Sequence, residues 1–237
     1  MTDRTIKALS LILSYPTKEL QEAMPEIGGV LAADTRLTTK ARRDLRPMVT
    51  KLAETDIYVL EESYVGLFDR SKSLSLNLFE HVHGESRDRG GAMVSLMETY
   101  REAGFEPMTT ELPDHLPVLL EYLAMCPASE AKDVLADAAH IFEALSMRLS
   151  KRGNSYAAVF TALLQLSCQK VDETALAELL EQPDDDPDDL EALDQIWEES
   201  EVVFGPDPNA GCPQVRDMLA NIDIPTNPAP AKPAAAQ

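Results

Sequence analysis

The chain has 237 residues, with 21 Lys and Arg against 41 Asp and Glu, which gives a formal net charge of −20 at pH 7. This balance argues against nucleic-acid binding, which requires cations to neutralise phosphates, and it favours a basic peptide as partner. The three cysteines, Cys126, Cys168 and Cys212, are too widely spaced for a disulfide framework or a Cys-x-x-Cys metal pair. A reducing compartment suits such a chain. The longest apolar run near the N-terminus, residues 11–13, is far too short to cross a bilayer. We therefore expect a cytoplasmic protein without stable membrane insertion.

Apolar residues recur at helical spacing along most of the chain, and strand-like alternation is almost absent. In chain order, the predicted helices carry these stripes: Ile6, Leu9, Ile12 and Leu13, ended by Tyr15-Pro16; Ile57, Leu60, Tyr64, Leu67 and Phe68; Met93, Leu96, Met97 and Tyr100, ended by Gly104; Leu116, Leu119, Leu120 and Leu123; Val134, Ala138, Ile141, Phe142, Leu145 and Leu149, ended at Gly153; Tyr156, Val159, Phe160 and Leu163; and Leu176, Leu179 and Leu180. Each stripe must be buried against another element, so the pattern predicts an all-α, single-domain helical bundle.

The C-terminal part differs in composition. Residues 171–215 contain fifteen Asp and Glu and no Lys or Arg, whereas the rest of the chain carries 26 acids against 21 bases. The run from Asp184 to Asp189 is typical of a linker, and short amphipathic helices are predicted around Trp197 and Met218. The Pro- and Ala-rich residues 227–237 are typical of disorder. We expect an all-helical domain at residues 1–183 and an acidic, partly disordered C-terminal extension at residues 184–237.

The segment from Glu111 to Leu123 places a carboxylate and an imidazole side by side at the start of an apolar helix. Asp114 is predicted to be the N-cap of this helix, because a carboxylate accepts from the free N–H groups of a first turn. Pro117 falls in that turn, where its missing N–H costs nothing. His115, Val118 and Tyr122 flank the leucine stripe, within reach of a partner. A capped core helix with a surface histidine explains the same residues, so this segment alone leaves both interpretations open.

Motifs for nucleotide binding or for a serine hydrolase are absent from the sequence. His81 and His83 are the nearest approach to a metal pair, but residues two apart face different ways on a helix, and we expect no metal site. Glu111, Asp114 and His115 form an acid–base set without a nucleophile or oxyanion site, so we interpret them as recognition groups. The alternative is a metal-dependent hydrolase that uses His81, His83 and His115.

Three segments carry a family resemblance. Glu111-x-Pro-Asp-His115, followed by Leu116-x-x-x-Leu120-Glu-Tyr-Leu123, resembles the signature of chaperones dedicated to bis-molybdopterin-guanine-dinucleotide oxidoreductases. Residues 64–90, which include Leu78-Phe-Glu-His-Val-His83, and residues 8–16 resemble the NarJ-type branch, the molybdenum-cofactor assembly chaperones of membrane-bound respiratory nitrate reductase. The likeness runs from about Lys7 to about Leu180.

The resemblance implies a system-specific chaperone, without catalytic activity and without a cofactor of its own. It would bind the apo catalytic (molybdenum) subunit of nitrate reductase, mainly through that subunit's N-terminal segment, and promote molybdenum-cofactor insertion and assembly before membrane docking. A helical, basic peptide in an apolar groove with acidic edges fits this role. The residues expected to bind the peptide are Tyr64, Phe68, Leu78, Phe79 and Tyr122 for apolar contacts, Glu80, Glu111, Asp114 and Glu121 for charge, and His81, His83 and His115 for polar contacts. A helical adaptor with no cofactor role is a further alternative, and the oligomeric state stays open.

Overall fold

The computed structural model describes residues 2–84, 86, 88–181 and 184. In this part of the chain the regular elements are the helices α1 Arg4–Ile12, α2 Lys18–Ala33, α3 Thr39–Glu54, α4 Ile57–Tyr64, α5 Leu78–His83, α6 Asp88–Glu102, α7 Leu116–Leu123, α8 Ala128–Asp137, α9 Ala139–Lys151, α10 Ala157–Ser167 and α11 Glu173–Glu181. A π-helical turn, Val65–Asp69, continues α4, and a 3-10 turn, Lys72–Leu74, follows it. The all-α prediction is confirmed.

The first four helices begin at side chains that satisfy free backbone donors. Oxygens of Asp3, Thr17, Thr38 and Asp56 accept from first-turn N–H groups of α1, α2, α3 and α4. A cap of this kind typically contributes about 0.5–2 kcal/mol. The starting points of these four helices are therefore defined by local hydrogen bonds as well as by tertiary packing.

Helices α2 and α3 are absent from the sequence-based prediction. Their stripes are regular: Leu20, Met24, Ile27 and Leu31 are buried on α2, and Ala41, Leu45, Met48 and Leu52 on α3. Each helix contains a proline, Pro25 or Pro47, and both prolines are exposed. An interior proline normally interrupts a helix, and here packing of the two stripes outweighs that cost.

One hydrophobic core joins the helices. The helix pairs that pack most extensively are α9 with α10, α2 with α3, and α1 with α7. The predicted leucine stripe of α7 lies in this core, with Leu116, Leu120 and Leu123 fully buried and Leu119 nearly so. Ser10 on α1 donates to the carbonyl of Pro117 on α7 at 2.8 Å, which ties the N-terminal helix to the segment that carries the most specific resemblance.

Two predicted stripes differ in detail from the structure. The stripe from Val134 to Leu149 is divided between α8 and α9 at Ala138, and both helices pack against α10. Helix α6 forms as predicted, and of its predicted stripe Tyr100 is buried, Met93 and Leu96 are half-buried and Met97 is exposed. The expectation that every stripe is buried is therefore met only in part for α6.

The C-terminal end of the described chain is held by arginines. Buried Arg148 donates to the carbonyl oxygens of Ser73, at 2.8 Å, and of Leu179 on α11, at 2.6 Å. Arg152 donates to a carboxylate oxygen of Asp184 at 2.7 Å. The predicted linker and tail from residue 185 onward lie outside the described residues, so the proposed boundary at residue 184 stays a prediction.

Candidate functional site

Two of the three segments that carry the resemblance, those containing Asn77 and His115, meet in the structure. Asn77 and His115 form an isolated antiparallel bridge. In it, the N–H of Leu78 donates to the carbonyl of Asp114 at 3.1 Å, and the N–H of Leu116 donates to the carbonyl of Leu76 at 2.8 Å. Residues far apart in sequence thereby hold α5 against the start of α7.

Asp114 reinforces this junction with its side chain. Its Oδ2 accepts from the N–H of Phe79 in the first turn of α5 at 3.0 Å, so it caps a helix 35 residues away along the chain. The predicted cap of α7 is wrong: that helix begins after His115, which makes no side-chain cap bond, although Pro117 does lie in the first turn. The spacing of residues along the chain does not distinguish a cap on the neighbouring helix from a cap on a distant one.

Asp114 is also the most buried acid of this junction, with 0% exposure. Burial raises the pKa of its carboxyl, against the N–H of Phe79 and the charge of Arg89, which lower it. Among the described residues, Oδ1 has no hydrogen-bond partner. The geometry makes Asp114 a structural clamp between α5 and α7.

A cleft of about 550 Å³ opens beside this junction, and we call it the acidic cleft. Its walls come from α1 and the residues after it, the π-helical turn, the loop after Phe105, and α7. The lining residues are Lys7, Ser10, Leu11, Ser14, Tyr15, Tyr64, Asp69, Phe105, Glu106, Pro107, Met108, Thr109, Glu111, His115, Pro117, Val118 and Glu121. The cleft thus combines residues of all three resemblance segments, including the N-terminal one that contains Tyr15.

Aromatic packing fixes the inner wall of the acidic cleft. Tyr64 is buried, donates to the carbonyl of Leu13 at 2.9 Å and packs edge-on to Tyr15 with ring centroids 5.5 Å apart. On its other side it contacts Phe68 at 5.1 Å. Tyr15 remains 46% exposed and Met108 is fully exposed. Apolar side chains displayed at the edge of a cleft are typical of a protein-binding surface.

Acidic side chains dominate the charge of the cleft. Lys7 and Glu121 form an ion pair, but among the described residues Asp69, Glu106 and Glu111 have no cationic partner. Burial raises the pKa of Asp69, and the nearby charge of Glu111 raises it further. A cation entering the cleft would relieve this repulsion.

His115 is the imidazole of the acidic cleft. Burial lowers its pKa, whereas the carboxylates of Glu111, Asp114 and Asp69 act in the opposite direction. Its Nδ1 is buried and has no hydrogen-bond partner within the described part of the chain. The imidazole as a whole is half-buried and lines the cleft, so its polar contact with a bound group stays a prediction.

The other predicted binding residues lie outside the cleft lining. Phe68, Leu78 and Tyr122 are buried in the core, and the hydroxyl of Tyr122 donates to Glu130 at 3.1 Å. Phe79, Glu80 and His83 are half-buried on α5, where Phe79 packs against His83 and Glu80 accepts from Arg89 at 3.0 Å. Of the twelve residues predicted from sequence, the cleft brings together Tyr64, Glu111, His115 and Glu121.

The histidines of α5 do not converge. His81 is buried with its Nε2 at 2.8 Å from the carbonyl oxygen of Ser75, and burial lowers its pKa. His83 lies on a different side of the helix, against Phe79. Within the described ranges, no three His, Cys, Asp or Glu side chains are grouped to hold a metal ion. In the same ranges, no helix is both long and apolar enough to cross a membrane.

Sequence reasoning missed several residues of the cleft. Lys7, Phe105 and Met108 belong to no motif singled out above. Asp69 and Tyr15 lie within resemblance segments, residues 64–90 and 8–16, and that membership was the available signal for them. The others become neighbours only when α1, the π-helical turn and the loop after Phe105 are folded together.

Comparison with known proteins gives consistent results. The family described as "Nitrate reductase delta subunit" matches residues 34–162. The chain is 42% identical over 205 residues to the nitrate reductase molybdenum cofactor assembly chaperone NarJ of Escherichia coli K12, covering 86% of each chain. It is 32% identical over 169 residues to the probable chaperone of the same name from Bacillus subtilis, covering 69% of this chain and 89% of the relative.

A solved structure supports the fold. The crystal structure of a putative redox enzyme maturation protein from Archaeoglobus fulgidus superposes with a TM-score of 0.52, over 71% of this chain and 95% of that one. At 22% identity this likeness concerns the helical architecture alone.

Proposed function

This chain belongs to the nitrate reductase delta subunit family, as a NarJ-type assembly chaperone, and from that premise we propose that it binds the N-terminal segment of the apo catalytic subunit of nitrate reductase in the acidic cleft. In this complex the chaperone keeps the catalytic subunit in the cytoplasm and competent for molybdenum-cofactor insertion. Cofactor insertion and enzyme assembly are then completed before the subunit docks to the membrane. The hydrolase alternative is abandoned, because the family and the named relatives are assembly chaperones.

The observation that carries this proposal is the combination of an apolar wall with uncompensated carboxylates in one cleft. Tyr15 and Met108 offer exposed apolar surface, and Asp69 and Glu111 offer negative charge. An amphipathic peptide with basic residues complements both features. Burial of its apolar face supplies most of the affinity, and the charges supply orientation.

His115 adds a polar contact to this picture. Its lowered pKa keeps the imidazole neutral at neutral pH, so the ring presents either a donor or an acceptor to the bound segment. Phe79, Glu80 and His83 remain proposed contacts for a part of the client that extends past the cleft along α5.

Calorimetric titration with a synthetic peptide of the catalytic subunit's N-terminal segment tests the proposal. Tyr15→Ala should weaken binding by at least about tenfold, which corresponds to about 1.4 kcal/mol, whereas Tyr58→Ala should leave it unchanged. Tyr58 is the matched control because it is 73% exposed and lies outside the cleft lining. Equal affinity of both variants would contradict the assignment of the cleft.

The charge contribution has its own pair of variants. Asp69→Asn combined with Glu111→Gln should weaken peptide binding, and Glu62→Gln combined with Asp133→Asn removes equal charge elsewhere as the control. The molybdenum content of the catalytic subunit produced with each variant separates cofactor insertion from simple adaptor function. An adaptor would bind the peptide without changing that content.

A further inference from the structure

Helix α3 carries a basic surface on an otherwise acidic protein. Between Thr39 and Glu54 there are five Lys and Arg against two Asp and Glu. Its exposed Arg43 and Arg46 line two adjoining grooves: one of about 630 Å³ against α2, which also contains Arg42 and Val49, and one of about 770 Å³ that contains Lys51. We call these together the α3 groove.

The cations of the α3 groove exceed the carboxylates that contact them. Asp44 is shared between Lys40, at 2.8 Å, and Arg43, at 3.3 Å. Among the described residues, no carboxylate forms an ion pair with Arg46 or Lys51. A surface with surplus donors of this kind favours an anionic occupant.

The Nε of Arg42 strengthens this argument. It is buried, and it has no acceptor within the described part of the chain. The two other guanidinium nitrogens donate to the carbonyl of Ala32 at 3.2 Å and to the hydroxyl of Thr39 at 3.4 Å. The groove therefore contains an inner donor as well as exposed charges.

Two contacts lead from the end of the described chain towards α3. Asp184 is held by Arg152 at 2.7 Å. Three residues beyond Arg152, Ser155 lies 3.1 Å from the sulfur of Met48, which is less than one helical turn before Lys51 on α3. Residues 185–191 add five acids and no base, and seven extended residues span about 23 Å. That length is the reach of the segment from Asp184, its point of attachment to the described chain.

We propose that the acidic segment 185–191 of this chain binds in the α3 groove, with its carboxylates on Arg43, Arg46 and Lys51. The carboxylates of Asp69 and Glu111 repel the same segment, so the charge pattern directs it away from the acidic cleft. Individual exposed ion pairs are weak, but the short connection from Asp184 gives the segment a high local concentration at the groove. The contact is intramolecular and salt-sensitive, and it does not depend on client binding.

Zero-length carbodiimide cross-linking of the full-length protein tests this proposal, because it joins a lysine only to a carboxylate in direct contact. Mass spectrometry should find Lys51 joined to residues 185–191 in the monomer. The yield should fall at least fivefold in Arg43→Glu/Arg46→Glu, and it should also fall in the unaltered protein at 1 M salt, where the screening length is about 3 Å.

Arg101→Glu/Lys132→Glu is the matched control, since it reverses two exposed charges on α6 and α8 and should leave the yield unchanged. A mixture of isotope-labelled and unlabelled protein shows whether the lysine and the carboxylate of a cross-link come from the same chain or from two chains. Absence of the Lys51 cross-link, an equal loss in the control, or cross-links mainly between labelled and unlabelled chains would overturn the proposal. Failure of client binding in the acidic cleft would leave this cross-link in place, so the two proposals fail separately.

Discussion

The clamp formed by Asp114 can be tested by two substitutions that differ in one property. Asp114→Ala removes the acceptor of the Phe79 N–H and leaves that donor in a half-buried position. Asp114→Asn keeps an acceptor oxygen but removes the charge. The comparison separates the hydrogen bond from the electrostatic cost of burying a carboxylate.

The alanine variant should lower the free energy of unfolding by about 1–3 kcal/mol, the usual cost of leaving a buried donor without a partner. For a chain of this length, each kcal/mol shifts the melting temperature by about 2–4 °C. The expected decrease is therefore about 2–12 °C. Asp133→Ala, an exposed aspartate on α8, should stay within about 0.5 kcal/mol of the unaltered protein.

The asparagine variant has a pH signature. Burial raises the pKa of Asp114 above its usual 3.8, so its contribution to stability is fully present below that pH and is lost as pH rises through the folded-state pKa. Asp114→Asn does not undergo this loss. Its melting temperature should equal or exceed that of the unaltered protein at neutral pH, and this advantage should disappear near pH 3.8.

Thermal unfolding followed by circular dichroism measures all three variants across this pH range. An alanine variant as stable as the unaltered protein would refute the clamp. The melting temperature of Asp114→Asn minus that of the unaltered protein should be larger at neutral pH than near pH 3.8. A smaller difference at neutral pH would refute the assigned direction of the pKa shift.

Three further predictions concern the scaffold and the client. Asp34→Asn should destabilise the protein above pH 3.8 but not near pH 2, as melting curves across this range will measure. The reason is that hydrogen bonds from Arg36 lower the pKa of Asp34 to about 2, so the stabilisation by the ionised carboxylate is lost as pH falls. Arg148→Met should lower the free energy of unfolding, measured by chemical denaturation, by about 1.5–3 kcal/mol. The variant loses a charged group that donates hydrogen bonds to two carbonyl oxygens. Affinity for the client peptide should fall only modestly in calorimetry as salt increases, because apolar contacts supply most of it and exposed charges are already screened over about 8 Å; affinity that rises with salt would remove the role of the acidic rim.

The fold was predictable to the extent that it depends on local pattern. The leucines of α7 and the position of Pro117 follow directly from spacing and from the chemistry of a first turn. Helices α2 and α3 have equally regular stripes, but Pro25 and Pro47 obscure them. The prolines are tolerated because they are exposed while the opposite faces of both helices are buried. This burial depends on tertiary packing, which the local sequence pattern does not show.

The candidate site was less predictable, because its residues are selected by packing between distant segments. Asp114 looked like a cap for the next turn, yet its carboxylate points to α5. Tyr122 has the spacing of a flank residue, yet its ring is buried and its hydroxyl contacts Glu130. Asp69 is the last residue of the π-helical turn Val65–Asp69, and it lines the same cleft as Glu111 and His115 only in the folded chain.

The central claim is that the acidic cleft receives the N-terminal segment of the catalytic subunit. Its most direct test is photo-cross-linking from benzoylphenylalanine placed at Met108, at Tyr15 or at Tyr58, all of them exposed, in complex with the full apo catalytic subunit. We predict cross-links from positions 108 and 15 to the first residues of that subunit, and none from position 58. Cross-links from position 58 alone, or from the cleft positions only to later parts of the subunit, would contradict the account.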